Sequence, residues 1–177
     1  MFEVAEAYEE RMGRWSRQLA PLFLEFVGVR DREKVLDAGC GTGSLSATLA
    51  KVTGASEIVG IDPSKAFTEY ARIQVADPRV SFEVGDAQDL RYPDHTFDVC
   101  VALLAVDHIP DAPKATKEIH PVPKHWVSSQ PRCGTVATIM SFTAAFGMPP
   151  KRPIRRRNAL REARIVRFSR STFTALE

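Results

Sequence analysis

The spacing of apolar side chains predicts that helices and strands alternate over most of the chain. Leu19, Leu22, Phe23 and Phe26 lie at the i, i+3, i+4 and i+7 positions of one helical face, and Gly28 is suited to end that helix. Further helices are predicted between the strands described next. Alternation of this kind is typical of an α/β protein, in which helices cover a mostly parallel sheet.

Short apolar segments bounded by turn residues are predicted as the strands of that sheet. Val80, Phe82 and Val84 alternate with polar residues, which is the pattern of a half-buried strand. The segment that ends at Leu104 is almost wholly apolar, as expected for a central strand covered on both faces. The five predicted strands are Lys34–Ala38, Glu57–Asp62, Arg79–Gly85, Phe97–Leu104 and Gly134–Met140.

The pattern weakens after the fourth strand. Asp111–Ile119 is predicted as a short helix, and the prolines at 121, 123 and 131 prevent its continuation. No amphipathic period is found from residue 141 onward. We therefore divide the chain into a domain at residues 1–140 and an irregular tail at residues 141–177.

Composition is typical of a globular protein. The chain has 177 residues, of which 44% are hydrophobic and 26% charged, and this excludes an intrinsically disordered chain. No apolar run approaches the ~18 residues of a membrane helix. The first residues are acidic and polar, unlike a secretory signal, so we expect a cytoplasmic protein without membrane contact. The three cysteines are widely spaced and are expected to be reduced.

Charge is divided unevenly between the two parts. Residues 1–140 contain 15 Lys and Arg against 20 Asp and Glu, whereas residues 141–177 contain 9 against 2. The body is therefore acidic and the tail basic. A basic tail could contact the phosphates of RNA or DNA, but its aromatic residues do not interleave with the arginines, and a solvated segment is the alternative.

A glycine-rich turn after the first predicted strand is the most informative segment. Gly39, Gly41 and Gly43 allow the backbone to approach a ligand, and the N–H groups of the helix start should point toward that ligand. The nicotinamide fingerprint requires glycine at the sixth position, which is Ser44 here. Asp37 would repel a pyrophosphate but attract an ammonium group. The turn therefore favours a cationic, phosphate-free nucleoside.

The segment from Val35 to Gly43 resembles the first motif of the class I S-adenosylmethionine-dependent methyltransferases. The resemblance extends over roughly residues 8–140. It implies a Rossmann-like, doubly wound sheet of about five strands, S-adenosylmethionine as cofactor, and in-line transfer of a methyl group to a small-molecule acceptor. The last strand pair of the family is expected to be missing. The resemblance leaves the acceptor and the oligomeric state open.

The resemblance also assigns cofactor contacts to residues at the ends of successive strands. Asp62 would hold the ribose hydroxyls and Asp86 the adenine amino group, while Arg14 lies in a segment that folds over the cofactor and could meet a carboxylate. The expected cofactor-binding residues are Tyr8, Arg14, Asp37, Gly39, Cys40, Gly41, Thr42, Gly43, Asp62, Pro63, Ser64, Asp86, Ala87, Gln88 and Leu103.

Simpler structural roles compete with several of these assignments. Asp62 could cap a helix, Asp86 could be a turn residue, and Cys40 could be a small residue that fills the turn, since no basic neighbour activates it. Tyr8 and Arg14 are equally consistent with surface positions.

The sequence names no definite catalytic residue. In the family, the loop that carries His108 borders the methyl group, so His108 is a candidate general base, and a histidine without a role is the alternative. His120, His125 and Cys133 match no zinc spacing, and no metal is expected. A methyl acceptor that is already nucleophilic needs no dedicated base.

Two departures from the family pattern bear on activity. A long stretch at residues 121–132 stands where the family has a short turn into its fifth strand, and Arg, Pro and Ala dominate after Met140 as in a shifted reading frame. We therefore expect a truncated or frameshifted end with impaired activity. The alternatives are a methyltransferase-like binding or structural module, or a methyltransferase that acts on nucleic acid.

Overall fold

The computed structural model describes residues 2–128, in which helices alternate with parallel strands. The helices are α1 (Phe2–Tyr8), α2 (Arg14–Val27), α3 (Ser44–Val52), α4 (Lys65–Gln74) and α5 (Ala112–Ile119), with a π-helical turn at Glu9–Gly13 and a 3₁₀ turn at Val106–His108. The strands are β1 (Lys34–Ala38), β2 (Glu57–Asp62), β3 (Val80–Val84), β4 (Phe97–Ala102) and β5 (Pro123–Ser128).

Local capping contacts fix the ends of three helices. Gly28 ends α2 with a left-handed backbone, φ 68°, and donates its N–H to Leu24 O. The Ser64 hydroxyl accepts a hydrogen bond from Phe67 N at the start of α4, at 3.3 Å. Asp111 does the same for Lys114 N at the start of α5, at 2.9 Å.

The five strands form one parallel sheet in the order β3-β2-β1-β4-β5. Strand β1 lies between β2 and β4, with Asp37 paired to Gly60 on one side and to Val101 on the other. The chain order therefore reverses direction at β1. In open parallel sheets, ligands bind beyond the carboxyl ends of the strands at such a switch point.

Alternate residues of each central strand pack on opposite faces of the sheet. Leu36 belongs to the apolar cluster that α5 covers, whereas its neighbour Val35 belongs to the cluster covered by α2 and α3. Both side chains are fully buried. Burial on both faces accounts for the nearly continuous apolar runs of these strands. A smaller cluster of Cys40, Ala71 and Phe82 joins the glycine-rich turn to α4 and β3.

A strand that was not predicted from the sequence follows α5. Strand β5 starts at Pro123, directly after α5, and pairs in parallel with β4. A proline is tolerated there because it is the first residue of the strand. Residues 123–128 of the stretch 121–132 therefore form a strand. The predicted strand at 134–140, the boundary at 140 and the basic tail lie outside the described residues.

Candidate functional site

The glycine-rich turn joins β1 to α3 and is held mainly by hydrogen bonds from its backbone N–H groups. Gly39, Gly41 and Gly43 all have left-handed backbones, with φ of 77°, 54° and 87°. The N–H groups of Gly39 and Cys40 both donate to Ile61 O at 2.9 Å, and Gly43 N donates to Cys40 O. These three N–H groups of the turn are therefore bound within the protein.

The turn is also packed tightly against the loop that follows β4. A Cβ atom placed on Gly39 would overlap Ala105 Cβ, so a side chain at this position would force the two loops apart. Leu104 in that loop has a φ of 57°, which is unusual for a bulky residue. This backbone conformation ends β4 at Ala102 instead of at Leu104, where the sequence analysis places its end.

Asp62, at the end of β2, connects the turn to the start of α4. Its Oδ2 accepts a hydrogen bond from Gly41 N at 3.0 Å, and its Oδ1 accepts one from Ser64 N at 2.8 Å. Burial raises the pKa of Asp62, and these two N–H contacts oppose that shift. The helix cap of α4 is Ser64, so capping that helix is not the role of Asp62.

Asp37 is a buried carboxyl group directly below the turn. It is 1% exposed and accepts a hydrogen bond from Ser46 Oγ at 2.7 Å. Burial, with a smaller contribution from the negative charge of Asp62, raises the pKa of Asp37 to about 7. A positively charged ligand nearby would favour the ionised form of this group.

Asp86 follows β3 and is exposed, unlike the other two carboxylates. It accepts hydrogen bonds from Gln88 N at 2.8 Å and from Gln88 Nε2 at 3.1 Å. Gln88 Oε1 in turn accepts from Asp111 N at 3.0 Å, at the start of α5. The contact with Gln88 N is that of a turn residue, and it also holds the carboxylate in place beside the sheet edge.

Tyr8, in the N-terminal segment, packs against α4 beside the glycine-rich turn. Its ring lies 4.9 Å from the ring of Phe67 on α4, and burial together with the charges of Asp62 and Glu9 raises its pKa. Arg14 behaves differently, since its guanidinium lies over the ring of Trp15 at 4.7 Å. Ser16, which the sequence analysis did not single out, lines the cavity described next.

These elements enclose a cavity of about 530 Å³ at the carboxyl ends of β1, β2, β3 and β4. All the expected cofactor residues except Gly43 and Arg14 line it, as does His108 on the 3₁₀ turn. Gly43 instead packs against Ala71 and Phe82. The lining residues that sequence reasoning missed are Ser16, Ser44, Leu45, Phe67, Gly85, Leu104, Ala105, Ile109 and Pro110.

One physical reason explains why the sequence did not indicate these lining residues. Most are apolar or small, and they carry no motif of their own. Phe67 could have been inferred from its place one turn after Ser64 on the predicted helix, because that position faces the end of β2. Leu104 and Ala105 reach the cavity through a backbone conformation that no sequence signal announces.

Two kinds of feature are absent from residues 2–128. No helix there is long and apolar enough to cross a membrane. Within the same part of the chain, no group of three or more His, Cys, Asp or Glu side chains could hold a metal ion.

Residues 35–125, just over half of the chain, match the family described as a methyltransferase domain. Together with the parallel sheet and the glycine-rich turn, this match places the chain in the class I S-adenosylmethionine-dependent methyltransferases. The match covers β1 to β4, whose carboxyl ends surround the cavity, and the start of β5.

Individual proteins agree with this assignment. The chain is 32% identical over 127 residues to sterol 24-C-methyltransferase erg6 of Aspergillus fumigatus, covering 70% of this chain and 32% of that one. It is 30% identical over 116 residues to a demethylmenaquinone methyltransferase of Symbiobacterium thermophilum, covering 63% and 45%. The chain therefore spans less than half the length of either relative.

A solved structure shares the fold. Phosphoethanolamine N-methyltransferase 2 of Haemonchus contortus, in complex with phosphomonomethylethanolamine and S-adenosylhomocysteine, superposes with a TM-score of 0.61 at 23% identity. The likeness covers 70% of this chain and 30% of that one. At this identity, the comparison concerns the fold alone.

Proposed function

We propose that this domain binds S-adenosylmethionine in the cavity above the glycine-rich turn and transfers its methyl group to a small-molecule acceptor. The observation that carries the proposal is the placement of Asp37, Asp62 and Asp86 around one cavity, each at or beside the end of a neighbouring strand. Among the described residues that line this cavity, none is Lys or Arg. Such a lining suits a ligand that is positively charged and lacks phosphate.

The residues present fit this cofactor. The cavity volume lies within the range of about 300–1,000 Å³ that is typical of small-ligand sites. Asp62 would hold the ribose hydroxyls, Asp86 and Gln88 the adenine edge, and Asp37 the amino group. The Tyr8 and Phe67 rings would cover the nucleoside and exclude water. When bound, the cofactor supplies an electrophilic methyl group on a sulfonium.

The acceptor side of the cavity is mainly apolar. Leu103, Leu104 and Ala105 line it after β4, and Ile109 and Pro110 line it after the 3₁₀ turn. This lining favours an acceptor with an apolar body. The two curated relatives above are described as acting on a sterol and on demethylmenaquinone, which are consistent with such an acceptor.

His108 is the candidate base on this side. It is exposed on the 3₁₀ turn and lines the cavity, where it could accept a proton from an acceptor hydroxyl. In-line displacement mainly requires that the acceptor atom and the methyl group be held in line, and the apolar loop residues would orient the acceptor.

The direct test is turnover. Purified protein is incubated with S-adenosylmethionine and, separately, a prenylated quinol, a sterol, a short polar catechol and an RNA, and release of S-adenosylhomocysteine is measured. The proposal predicts release with an apolar acceptor. Asp62→Ala should abolish it, while Asp94→Ala, at an exposed carboxylate outside the cavity, should not.

Two other results would contradict the proposal. Release only with RNA would favour the nucleic-acid methyltransferase, for which the basic tail is the sequence argument. Binding of S-adenosylhomocysteine without turnover of any acceptor would favour the binding or structural module.

A further inference from the structure

Glu9, in the π-helical turn, places a carboxylate at the first residues of α3. Its Oε1 accepts hydrogen bonds from Thr42 Oγ1 and from Ser44 Oγ, the latter at 3.3 Å. Its Oε2 forms an ion pair with Arg17 of α2. The Glu9 side chain is only 13% exposed, so a largely buried negative charge lies at the end of the glycine-rich turn.

Gly13 makes this position of Glu9 sterically possible. A Cβ atom on Gly13 would overlap the Glu9 carboxylate, so any larger residue would displace it. The backbone of Gly13 has an ordinary helical φ of −58°, and conformational freedom is therefore not the reason for a glycine here. The missing side chain leaves the space that the carboxylate fills.

The start of α3 is the place where related folds bind phosphate. In dinucleotide-binding domains the pyrophosphate lies on the N–H groups at the start of the helix that follows the glycine-rich turn. Here the helix has nine residues, and its N-cap, Gly43, supplies no side-chain cap. Glu9 binds the hydroxyl groups on either side of that cap.

The backbone N–H groups of the glycine-rich turn already have partners within the protein. Gly39, Cys40 and Gly43 donate their N–H groups to carbonyls, and Gly41 donates its N–H to Asp62. These four donors are thus bound within the protein. Thr42 and Ser44, which contact Glu9, line the cavity beside Tyr8.

We propose that Glu9 determines nucleoside specificity: it occupies the phosphate end of the glycine-rich turn and excludes nucleosides that carry a 5′-phosphate. The inference rests on the proposed function, because it assumes that a nucleoside lies with its ribose on Asp62. A ribose held there directs its 5′ position toward the turn. A second negative charge at that position would lie near the Glu9 carboxylate, which would repel it.

The test compares adenosine with adenosine 5′-monophosphate by isothermal titration calorimetry. Wild-type protein should bind the monophosphate at least about tenfold more weakly than adenosine, as expected for two charges a few ångströms apart near a protein surface. Glu9→Gln keeps the shape and an acceptor oxygen but removes the charge. This variant should bind the monophosphate more tightly than the wild type does, with adenosine affinity nearly unchanged. The ratio of the two dissociation constants should then fall to about threefold or less.

A matched control and a second variant accompany this comparison. Glu10→Gln removes an exposed charge from the same turn and should keep the wild-type ratio. Gly13→Ala keeps the charge but displaces the carboxylate, and it should narrow the ratio as Glu9→Gln does. Circular dichroism checks that each variant folds. If Glu9→Gln does not fold, the affinity ratio of Gly13→Ala shows whether Glu9 selects against phosphate.

Failure of cofactor binding and failure of phosphate selection give different results. If wild-type protein does not bind adenosine, the proposed function is overturned together with this inference. If adenosine binds but the ratio in folded Glu9→Gln equals that of the wild type, Glu9 does not select against phosphate, and the proposed function is unaffected.

Discussion

Gly41 N donates a hydrogen bond to Asp62 Oδ2 at 3.0 Å, which ties the glycine-rich turn after β1 directly to the acid at the end of β2. Asp62 also holds the start of α4 through Ser64 N. One carboxylate therefore positions two loops of the cavity before any ligand is present. Its remaining acceptor capacity faces the cavity, where it would be available to hydroxyl groups.

The buried carboxyl of Asp37 should make stability depend on pH. Its pKa is about 7 in the folded chain, against 3.8 for the free group, so between these values the folded state binds a proton that the unfolded state lacks. Stability then falls as pH rises through this window, with a slope that approaches about 1.4 kcal/mol per pH unit. Below pH ~4 the contribution is fully present.

Urea denaturation of wild type and Asp37→Asn at pH 5 and pH 8 measures this effect. Asparagine cannot ionise, yet it still offers an oxygen to Ser46 Oγ. The free energy of unfolding should drop between the two pH values more in the wild type than in the variant. An equal drop in both proteins would mean that Asp37 is already ionised in the folded chain at pH 5.

Gly60 and Gly85 form a matched pair for testing the packing beneath the turn. A Cβ atom on Gly60 would lie 2.6 Å from Phe82 Cδ1 and 3.0 Å from Cys40 Cβ, whereas one on Gly85 would lie 3.6 Å from Ile61 Cβ. Gly60→Ala should therefore destabilise the protein by about 1–3 kcal/mol through overpacking. Gly85→Ala should change stability little. Chemical denaturation of both variants checks the contrast, and equal effects would contradict the packing described here.

Arg79 should stabilise the end of α3, although it lies more than 20 residues further along the chain. Its guanidinium donates to Thr53 O at 3.2 Å, to Ala55 O at 3.3 Å and to Ala50 O, and it pairs with Asp77 at 2.7 Å. Lysine cannot make this set of contacts, because it has no planar fork of donors. Both Arg79→Ala and Arg79→Lys should lower the melting temperature.

Differential scanning calorimetry measures the Arg79 effect against Arg91→Ala, which removes an exposed arginine. The control should melt close to the wild type. A melting temperature of Arg79→Lys equal to that of the wild type would show that charge, and not the fork geometry, accounts for the contribution.

Much of this fold follows from sequence because its signals are local. The strands β1 and β2 have the predicted bounds, since each has an acidic residue at or next to its end and is followed by a glycine or proline turn. The position of β5 does not follow, because prolines at 121 and 123 suggest a loop, while the open side of β4 supplies a parallel partner. Pairing across the sheet decided the strand, and a local pattern does not contain that information.

Some residues of the site could likewise be predicted from the sequence, and others could not. Asp37, Asp62 and Asp86 could be placed from strand ends, because parallel strands bring their carboxyl ends to one edge. Arg14 could not, since its stacking on Trp15 competes with any role at the cavity. Glu9 carried no sequence signal, and its contact with Thr42 depends on how the N-terminal segment folds back over the turn.

Calorimetric titration with S-adenosylhomocysteine examines our claim that the cavity binds the cofactor through Asp62. Wild type should bind, Asp62→Asn should bind at least about tenfold more weakly because a charged acceptor is lost, and Asp94→Asn should bind like the wild type. Circular dichroism confirms that each variant is folded. Equal affinity of wild type and Asp62→Asn, or no binding to the wild type, would contradict the claim.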